Sequence, residues 1–445
     1  MGRLSVKPEE NQSVISFIRG FPARRILLAL LIATAGVMVP EFGRATQSLN
    51  VSDAITLALV QNPDLLAARQ ELQSAQARLT KAQYWNQFNP KIEGGATQAR
   101  FNFAPGGSAT QPSGSASLEV EVAGQRGKRI DEAKQNQAEA EAHVADAERL
   151  TRARTKYAFY QALYLRRRLD LTRKIEELNR KLRDASMARF HSGEAPKLEA
   201  NLAAVRYDQA RKLTLLARRD YENGLRALQR ILGTTPNGDL QPEGTLAVHA
   251  IEVDPQDLVR IAIQHRPDLR ARDYEMKRVE AEIALTKRLI IPNPTINGFL
   301  SQQADAPGQT IRVLGGSVGI SIPLFDHKQA ELAALRGERS RASYNHTATM
   351  LTVEQEVRDE VAAYDSAREA VQLFEGDAVQ KAQEGFSLID TAYRAGKIGL
   401  LQLVVAQNDF VSAESSYLDS LWEYWVARIG LETAAGTDLE QVKAR

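Results

Sequence analysis

The sequence predicts an α+β membrane protein built from a duplicated unit of helix, strand hairpin, long helix and helix. Three observations predict this fold. The Pro and Gly punctuation of the chain recurs after about 200 residues, each copy contains two short segments that alternate like half-buried strands, and each hairpin leads into a very long helical stretch. The mature chain is therefore expected to form one continuous body of two repeats, residues 46–250 and 251–445.

The repeat is clearest in the helix-breaking residues. Asn62-Pro63-Asp64-Leu65 recurs as Arg266-Pro267-Asp268-Leu269, a displacement of 204 residues, and farther along a displacement of 203 residues pairs Gly193 with Gly396. Alanine-rich helices resemble one another by chance, but chance would not keep Pro and Gly in step. The two halves are therefore expected to share one fold.

The N-terminus has the features of an export signal. Basic residues precede an apolar run from Ile26 to Val39, and small residues at Gly43 and Ala45 suit a cleavage site. Residues 1–45 are interpreted as a signal peptide, with an N-terminal anchor helix as the alternative. The chain contains no cysteine, so neither a disulfide nor a cysteine-linked lipid is expected.

The composition argues against two broad functions. The 57 basic and 55 acidic residues are interspersed, with a net charge of +2, which does not suit nucleic-acid binding. The six His residues have no metal-ligand spacing, and no Walker loop or cysteine nucleophile is present. We therefore predict no catalytic residues, no cofactor, no metal site and no enzymatic activity.

The elements of the first repeat follow from local signals. A helix is expected from Ser52 as N-cap, restarting at Pro63 and stopping before Asn89-Pro90. Apolar and polar residues alternate clearly after a polar loop at 104–114. The predicted strands are 91–103 and 115–123, and the predicted long helices are 126–191 and 196–232.

The second repeat is read in the same way. Its first helix is expected to end at Ile291, and Gly396 is expected to turn the chain between its two long helices. The predicted strands are 295–303 and 310–324, and the predicted helices are 329–395 and 399–435. A helix of about 65 residues would be on the order of 95 Å long, which no ordinary domain requires.

The strand pairs indicate how such a chain would cross a membrane. Segments of about ten residues with period-two alternation suit tilted strands with one face in lipid and one in water. Four strands cannot close a barrel with a lumen, so the outer edges are expected to pair with sister chains, and a homotrimer would supply twelve strands. The alternative is a small sheet that caps a soluble helical bundle.

The order of these motifs resembles the TolC-like outer-membrane efflux proteins. The resemblance covers residue 50 to the C-terminus. It rests on the twin Pro-Asp-Leu helix starts, the twin Asn-Pro helix stops at 89–90 and 293–294, Ile320–Phe325 at the end of the last strand, and the twin tip motifs Ala188–Glu194 and Ala392–Lys397. Residues 124–129 and 193–199 look most like the heavy-metal-cation branch that serves RND-type pumps.

The resemblance implies an architecture, a location and partners. It implies a trimeric, twelve-stranded barrel in outer-membrane lipid of a Gram-negative bacterium, continued by a long periplasmic α-helical barrel. It also implies a passive exit duct that receives substrates, metal cations in this branch, from a periplasmic adaptor and an inner-membrane pump of RND type. Drug or solvent efflux and type I secretion are the alternatives within the family, and a periplasmic coiled-coil scaffold without a pore is the alternative from another class.

The resemblance places the functional residues at the two helix-hairpin tips. The predicted periplasmic entrance and adaptor contact comprises eight residues: His191, Ser192, Gly193, Glu194, Arg394, Ala395, Gly396 and Lys397. Family members often carry acidic rings just after the second tip, but here the matching position is Gln402. Its counterpart in the first repeat is Glu199, so Glu199 and Gln402 are the candidate entrance ring. In the alternative, Glu199 is an ordinary exposed residue that pairs with Lys197 or with a neighbouring subunit.

Overall fold

The structure is a computed structural model that describes residues 47–100, 108–234, 240–306, 309–375 and 378–442. The proposed signal peptide lies outside these residues. In the first repeat the elements, in chain order, are β1 Gln47–Leu49, α1 Val51–Gln61, α2 Pro63–Ala82, β2 Lys91–Arg100, β3 Ser108–Glu119, α3 Gln125–His191, α4 Lys197–Leu232 and β4 Leu240–Pro242.

The second repeat keeps the order of two short helices, two strands and the long helices. They are α5 Pro255–His265, α6 Pro267–Leu289, β5 Pro294–Ala306, β6 Gln309–Ile320, α7 Gln329–Glu375, α8 Ala378–Arg394, α9 Leu400–Ala435 and α10 Leu439–Val442. The predicted helix 329–395 is thus described as α7 and α8, on either side of residues 376 and 377, which lie outside the described residues. At 67 residues, α3 is about 100 Å long.

The first helix begins two residues earlier than the serine predicts. The N-cap of α1 is Asn50, whose side-chain oxygen accepts the Asp53 amide at 2.8 Å. Ser52 lies inside the first turn, so its prediction as the cap was wrong. Asn and Ser cap helices about equally well, and the chain geometry selects the one whose backbone is extended.

Helix α2 ends at Ala82, six residues before the predicted stop near Phe88. Two arginines of α3 explain the early end. Arg129 Nε donates to the Ala82 carbonyl at 3.2 Å, and Arg126 Nη2 donates to the Gln83 carbonyl at 2.8 Å. These side chains satisfy the last carbonyls, so the helix needs no further turn. In the second repeat α6 likewise ends at Leu289, short of the predicted Ile291.

The strands differ from their predicted bounds at both ends. Strand β3 begins at Ser108, inside the predicted loop 104–114, because residues 108–112 pair with β2. Strand β5 joins β3 only from Ser113 onward. Pro112 therefore has no partner in β5, and a proline, which cannot donate a backbone hydrogen bond, is tolerated where a strand has a neighbour on one side only. The rest of the predicted loop, and the predicted strand end at 103, fall in residues 101–107, which are outside the described residues.

Both hairpins also end earlier than predicted on the helix side. Strand β3 stops at Glu119 rather than at 123, and β6 stops at Ile320 rather than at 324. In the second case Pro323 removes a donor, and Leu324 N turns back to the Ile322 carbonyl at 3.0 Å. The alternation of apolar and polar residues continues in the sequence past Glu119 and Ile320, although the pairing with β5 ends there.

The four long strands form one antiparallel sheet in the order β2-β3-β5-β6. A second, two-stranded sheet pairs β1 with β4 in parallel, and no sequence signal predicted it because each strand has only three residues. Within the described residues, no helix is both long enough and apolar enough to cross a membrane.

The main core lies where the helices of both repeats meet. Phe159, Leu228, Tyr364 and Tyr424 are among its fully buried side chains. Two phenols fasten a connecting segment to this core: Tyr364 Oη accepts the Ile251 amide at 3.0 Å, and Tyr424 Oη donates to the His249 carbonyl at 2.8 Å. Small residues such as alanine make up much of the rest, which allows close helix packing.

Candidate functional site

The four-stranded sheet has two chemically different faces. Leu118, Ile296 and Val318 are directly opposite one another on β3, β5 and β6, so their side chains share one face. Ile92 on β2 and Leu314 on β6 belong to the same face, and each is 81 % exposed. The apolar residues of this face are Ile92, Ala116, Leu118, Ile296, Leu300, Leu314, Val318 and Ile320. Toward the end of the sheet away from Ile92 and Ile320, the same face carries Gln98, Thr110, Gln302 and Arg312.

The opposite face is polar. It comprises Glu93, Thr97, Ser113, Ser115, Ser117, Thr295, Asn297, Ser301 and Ser317. The apolar exceptions on this face are Phe299, Ile311 and Val313. The Phe299 ring lies over Gly315: a Cβ added at Gly315 would be 2.4 Å from the ring. An exposed sheet with a lipid-compatible face and a water-compatible face is the pattern of a strand segment between bilayer and lumen.

The strands have the length that this environment requires. They contain 10, 12, 13 and 12 residues, and a tilted strand of that length spans about 25–30 Å along the membrane normal. Among the described residues, β2 and β6 each have a strand partner on one side only. Their outer N–H and C=O groups require a further partner wherever the sheet lies in hydrocarbon.

The two helix-hairpin tips have matching backbones. Gly193 and Gly396 take left-handed φ values of 78° and 70°. In the first tip Gly193 N donates to the Phe190 carbonyl at 3.1 Å, and in the second Gly396 N donates to the Tyr393 carbonyl at 2.9 Å. These bonds close the ends of α3 and α8 as helix C-caps. All eight predicted tip residues are exposed.

The Glu199 carboxylate is not free. Its Oε1 accepts a hydrogen bond from Tyr393 Oη at 2.7 Å and from Arg189 Nη1 at 3.2 Å, and its side chain is 14 % exposed. Tyr393 is buried, its hydroxyl is 3.2 Å from Ser186 Oγ, and Arg189 lies over its ring. Burial raises the pKa of the Tyr393 phenol, which therefore stays protonated and donates to Glu199.

Gln402 forms a hydrogen bond at the start of its own helix. Its Oε1 accepts the Gly399 amide at 2.9 Å, which satisfies a free N–H at the start of α9. The two candidate ring residues thus have separate partners. Sequence reasoning missed Tyr393 and Arg189 as partners of Glu199, although both lie inside the quoted tip motifs.

An apolar groove of about 330 Å³ lies beside the tips. Leu182, Leu198, Leu202, Leu400 and Val404 line it, with Glu199 at its polar edge. Leu198 and Leu401 are 66 % and 75 % exposed, so apolar surface is open on both repeats at the same displacement of 203 residues. Exposed apolar surface of this kind is typical of an interaction site.

The described residues offer little for catalysis or resident metal chemistry. No group of three or more His, Asp or Glu side chains within them could hold a metal ion. Residues 315–319 carry the letters Gly-x-Ser-x-Gly, but they lie inside strand β6. A nucleophile elbow requires a strand-to-helix turn, so this match is a coincidence of small strand residues.

Comparison with known proteins gives the same picture. The sequence profile of the outer membrane efflux protein family matches residues 54–234 and 258–437, once in each half. The cobalt-zinc-cadmium resistance protein CzcC of Cupriavidus metallidurans is 22 % identical over 404 residues, 91 % of this chain and 94 % of that protein. The toluene efflux pump outer membrane protein TtgC of Pseudomonas putida is 23 % identical over 243 residues, 53 % of this chain and 48 % of that protein.

Solved structures share the fold. A CusC structure superposes with a TM-score of 0.72 at 17 % identity, covering 87 % of this chain and 92 % of the other. The CmeC outer membrane channel of Campylobacter jejuni superposes with a TM-score of 0.74 at 15 % identity, covering 88 % of each chain. With a profile that matches most of its length and a sheet whose faces suit lipid and water, the chain belongs to the outer membrane efflux protein family.

Proposed function

We propose that three copies of this chain form the exit duct of a tripartite efflux system, with a twelve-stranded barrel in the outer membrane and a periplasmic helical barrel beneath it. The observation that carries the proposal is the sheet. Its faces are apolar and polar, and its edge strands β2 and β6 each lack a partner on the outer side among the described residues. Pairing β6 of one copy with β2 of the next would satisfy both edges and close the barrel.

The quaternary proposal has a direct test. The mature chain, purified in detergent, is expected to have the mass of a trimer in native mass spectrometry and to open ion-conducting pores in planar bilayers. The rival scaffold has the opposite signature, a water-soluble chain that never conducts. A soluble monomer would therefore overturn the duct.

Targeting belongs to the same proposal. Residues 1–45 act as a signal peptide that is removed near Ala45, and the sheet and its flanking side chains hold the mature chain in the membrane without a cysteine-linked lipid. Mass spectrometry of the protein isolated from outer membranes tests both statements. A mature N-terminus far from Ala45, or an added acyl mass, would contradict them.

The tips form the entrance and the contact with a periplasmic adaptor. The exposed tip residues and the adjoining apolar groove support this assignment. Leu401→Glu is expected to weaken site-specific cross-linking to the adaptor at least tenfold, since it places a charge beside the groove. Leu373→Glu, at a site equally exposed at 76 % but on α7, is the matched control. Equal cross-linking yields for both variants would remove the groove from the contact.

The cargo that fits best is a divalent metal cation delivered by an RND-type pump. The support is the similarity to CzcC, which extends over nearly the whole of both chains, whereas the similarity to TtgC covers about half. A deletion strain is expected to lose tolerance to cobalt, zinc and cadmium and to keep its tolerance to toluene. Loss of solvent tolerance alone would favour solvent efflux, and a block in export of one protein would favour type I secretion.

A further inference from the structure

The apolar face of the sheet becomes polar toward the end farthest from the helices. The pairing of β2 is unbroken from Lys91 to Arg100, so Gln98 lies on the same face as Ile92. The pairing of β6 is unbroken from Ile320 to Thr310, so Arg312 lies on the same face as Leu314. We call four side chains at this end of the face the polar rim: Gln98, Thr110, Gln302 and Arg312.

The polar rim belongs to the more open of the two faces at this end. Thr110 is exposed, whereas its neighbours of opposite parity, Ala109 and Gln111, are partly buried. In the same way Arg312 is exposed and Val313 is partly buried. The rim therefore points to the surroundings of the sheet and not to the face that we assign to the lumen.

The side chains of the rim have no partners within the chain. Among the described residues, none of the four forms a hydrogen bond or an ion pair through its side chain. Arg312 is also the only charged side chain that the structure describes on this face of the sheet. A guanidinium and amides without partners are costly next to hydrocarbon, so a sheet that stands in a bilayer requires a polar, anionic partner here.

The position of the rim indicates where that partner lies. Strands β3 and β6 lead into α3 and α7 at the opposite end of the sheet. If the helices extend into the periplasm, the rim lies toward the outer leaflet. Arg312 is two residues beyond Leu314, about 7 Å farther along the strand, and its long side chain can extend toward the headgroup level.

The chemistry of the rim fits a phosphorylated glycolipid. Lipid A, the glucosamine lipid of the outer leaflet of Gram-negative outer membranes, carries phosphate groups on a sugar headgroup. A guanidinium forms charge-assisted, bidentate hydrogen bonds with phosphate. The amides of Gln98 and Gln302 and the hydroxyl of Thr110 can donate to and accept from sugar hydroxyls and amide-linked acyl chains.

We propose that the polar rim is a lipid A binding site in which Arg312 binds a phosphate group. The proposal rests on the proposed outer-membrane duct and goes beyond it by assigning a glycolipid site to named residues. In the proposed barrel β6 of one copy pairs with β2 of the next. Arg312 of one copy and Gln98 of its neighbour would then lie on the same strip of surface, and each trimer would carry three equivalent sites.

Lipid binding by the purified trimer tests this site. Native mass spectrometry in detergent measures how many lipid A molecules each trimer retains as lipid A is titrated. We expect Arg312→Gln to weaken the binding at each site about fivefold, the effect of losing one basic side chain that faces anionic lipid. Arg312→Lys should keep most of the binding. Lipid A without its phosphates should bind equally to wild type and to Arg312→Gln.

The matched control is Arg288→Gln. Arg288 is exposed in the last turn of α6, next to the helix end of the sheet, so its loss should leave lipid A binding unchanged. Equal losses for Arg288→Gln and Arg312→Gln would show attraction to the charged surface as a whole and overturn the site. Phosphatidylglycerol is the second probe. If wild type binds it as tightly as lipid A and Arg312→Gln weakens both equally, the assignment to lipid A is wrong.

The outcomes separate the rim from the duct. A conducting trimer that binds lipid A equally well in wild type and in Arg312→Gln overturns the lipid site and leaves the duct intact. If Arg312→Gln instead dissociates into monomers, the guanidinium joins neighbouring copies and the lipid site is wrong. A wild-type chain that neither inserts into bilayers nor conducts removes the duct, and the lipid site with it.

Discussion

Five described glycines have a left-handed φ, and the surroundings of three of them decide what each contributes. Gly193 and Gly396 at the tips have open space where a Cβ would be. At Gly233, which ends α4, an added Cβ would be 2.3 Å from the Gln61 carbonyl oxygen. The tip glycines therefore supply only backbone freedom, whereas Gly233 also allows α4 to touch the end of α1.

This difference predicts the ranking of two alanine substitutions. Gly193→Ala should cost about 1–2 kcal/mol, the strain of a left-handed residue with a Cβ. Gly233→Ala should cost about 3 kcal/mol or more, because a steric clash with backbone adds to the same strain. Thermal unfolding of the purified protein is expected to show midpoints falling from wild type to Gly193→Ala to Gly233→Ala. The reverse order for the two variants would contradict this account.

The bonds of Glu199 lead to a second prediction. A Glu199 charge that is bonded to Tyr393 on one side and acts on ions in the lumen on the other would attract cations. Glu199→Gln should then lower cation selectivity, measured as the reversal potential in a KCl gradient. Tyr393→Phe removes one bond to Glu199 but keeps its charge, so selectivity should stay at the wild-type value while conductance rises as the tip loosens. Equal reversal potentials for wild type and Glu199→Gln would show that the carboxylate serves only the bond between the repeats.

The residue scale also shows where sequence reasoning stops. The left-handed tips were predictable, because Gly193 and Gly396 stand between helix-forming stretches in both repeats. The bond from Tyr393 to Glu199 was not, because it joins residues 194 positions apart on different repeats. Only the packing of the two hairpins against each other brings them within hydrogen-bond distance.

At the element scale, the two repeats make equivalent hydrogen bonds with different side chains. Asn62 Nδ2 donates to the Ile231 carbonyl at 2.8 Å, and Arg266 Nη1, in the equivalent position, donates to the Ala434 carbonyl at 3.1 Å. Each residue links the start of a short helix to the last turn of its repeat. The second repeat strengthens the joint with ion pairs from Arg266 to Asp268 and Glu356, at 2.6 Å each.

The Arg266–Asp268 pair predicts acid sensitivity. Burial alone would raise the pKa of Asp268, but hydrogen bonds and charge from Arg266 outweigh it and hold that pKa below its usual value. A lowered folded-state pKa stabilises the protein above the ordinary aspartate range, and this stabilisation is lost as pH falls through the folded-state pKa. Asp268→Asn should therefore lower the unfolding midpoint at neutral pH, and the gap from wild type should close below about pH 4.

The matched control for that prediction is Asp64→Asn. Asp64 is the equivalent residue of the first repeat, but its side chain is 83 % exposed and lies 3.8 Å from Arg154. An exposed pair of this kind contributes little, so Asp64→Asn should leave the midpoint nearly unchanged at every pH. A gap for Asp268→Asn that stays constant with pH would rule out the ionised carboxylate as its cause.

Element types were predictable where the signal was long, and element bounds were not. The helices of both repeats have apolar spacing over many turns and end at glycine turns. The bounds of α3, α4 and α9 therefore lie within a few residues of the predicted ones. Strand bounds depend on the partner strand, which the sequence does not name. Residues 108–112 look like loop because they contain Pro112, yet they pair with β2 across their whole length.

At the scale of the whole molecule, the sheet decides where the chain can reside. A long polar helical body needs water, and a sheet with one apolar face needs lipid on that face. The two requirements are met together only if the sheet stands in a bilayer and the helices extend away from it. The alternation along β2, β3, β5 and β6 then assigns each strand position to lipid or to lumen.

Two neighbouring residues in the middle of β5 test this assignment. Leu300 lies on the apolar face, 53 % exposed, and Ser301 lies on the polar face. Leu300→Arg should cost about 2–4 kcal/mol near the bilayer midplane and sharply reduce the amount of trimer recovered from outer membranes. Ser301→Arg should leave that amount unchanged and shift the reversal potential of the pore toward anions, because its charge enters the lumen. If Ser301→Arg were the variant lost from the membrane, the faces would be reversed, and if neither variant changed the yield, the sheet would not face lipid at all.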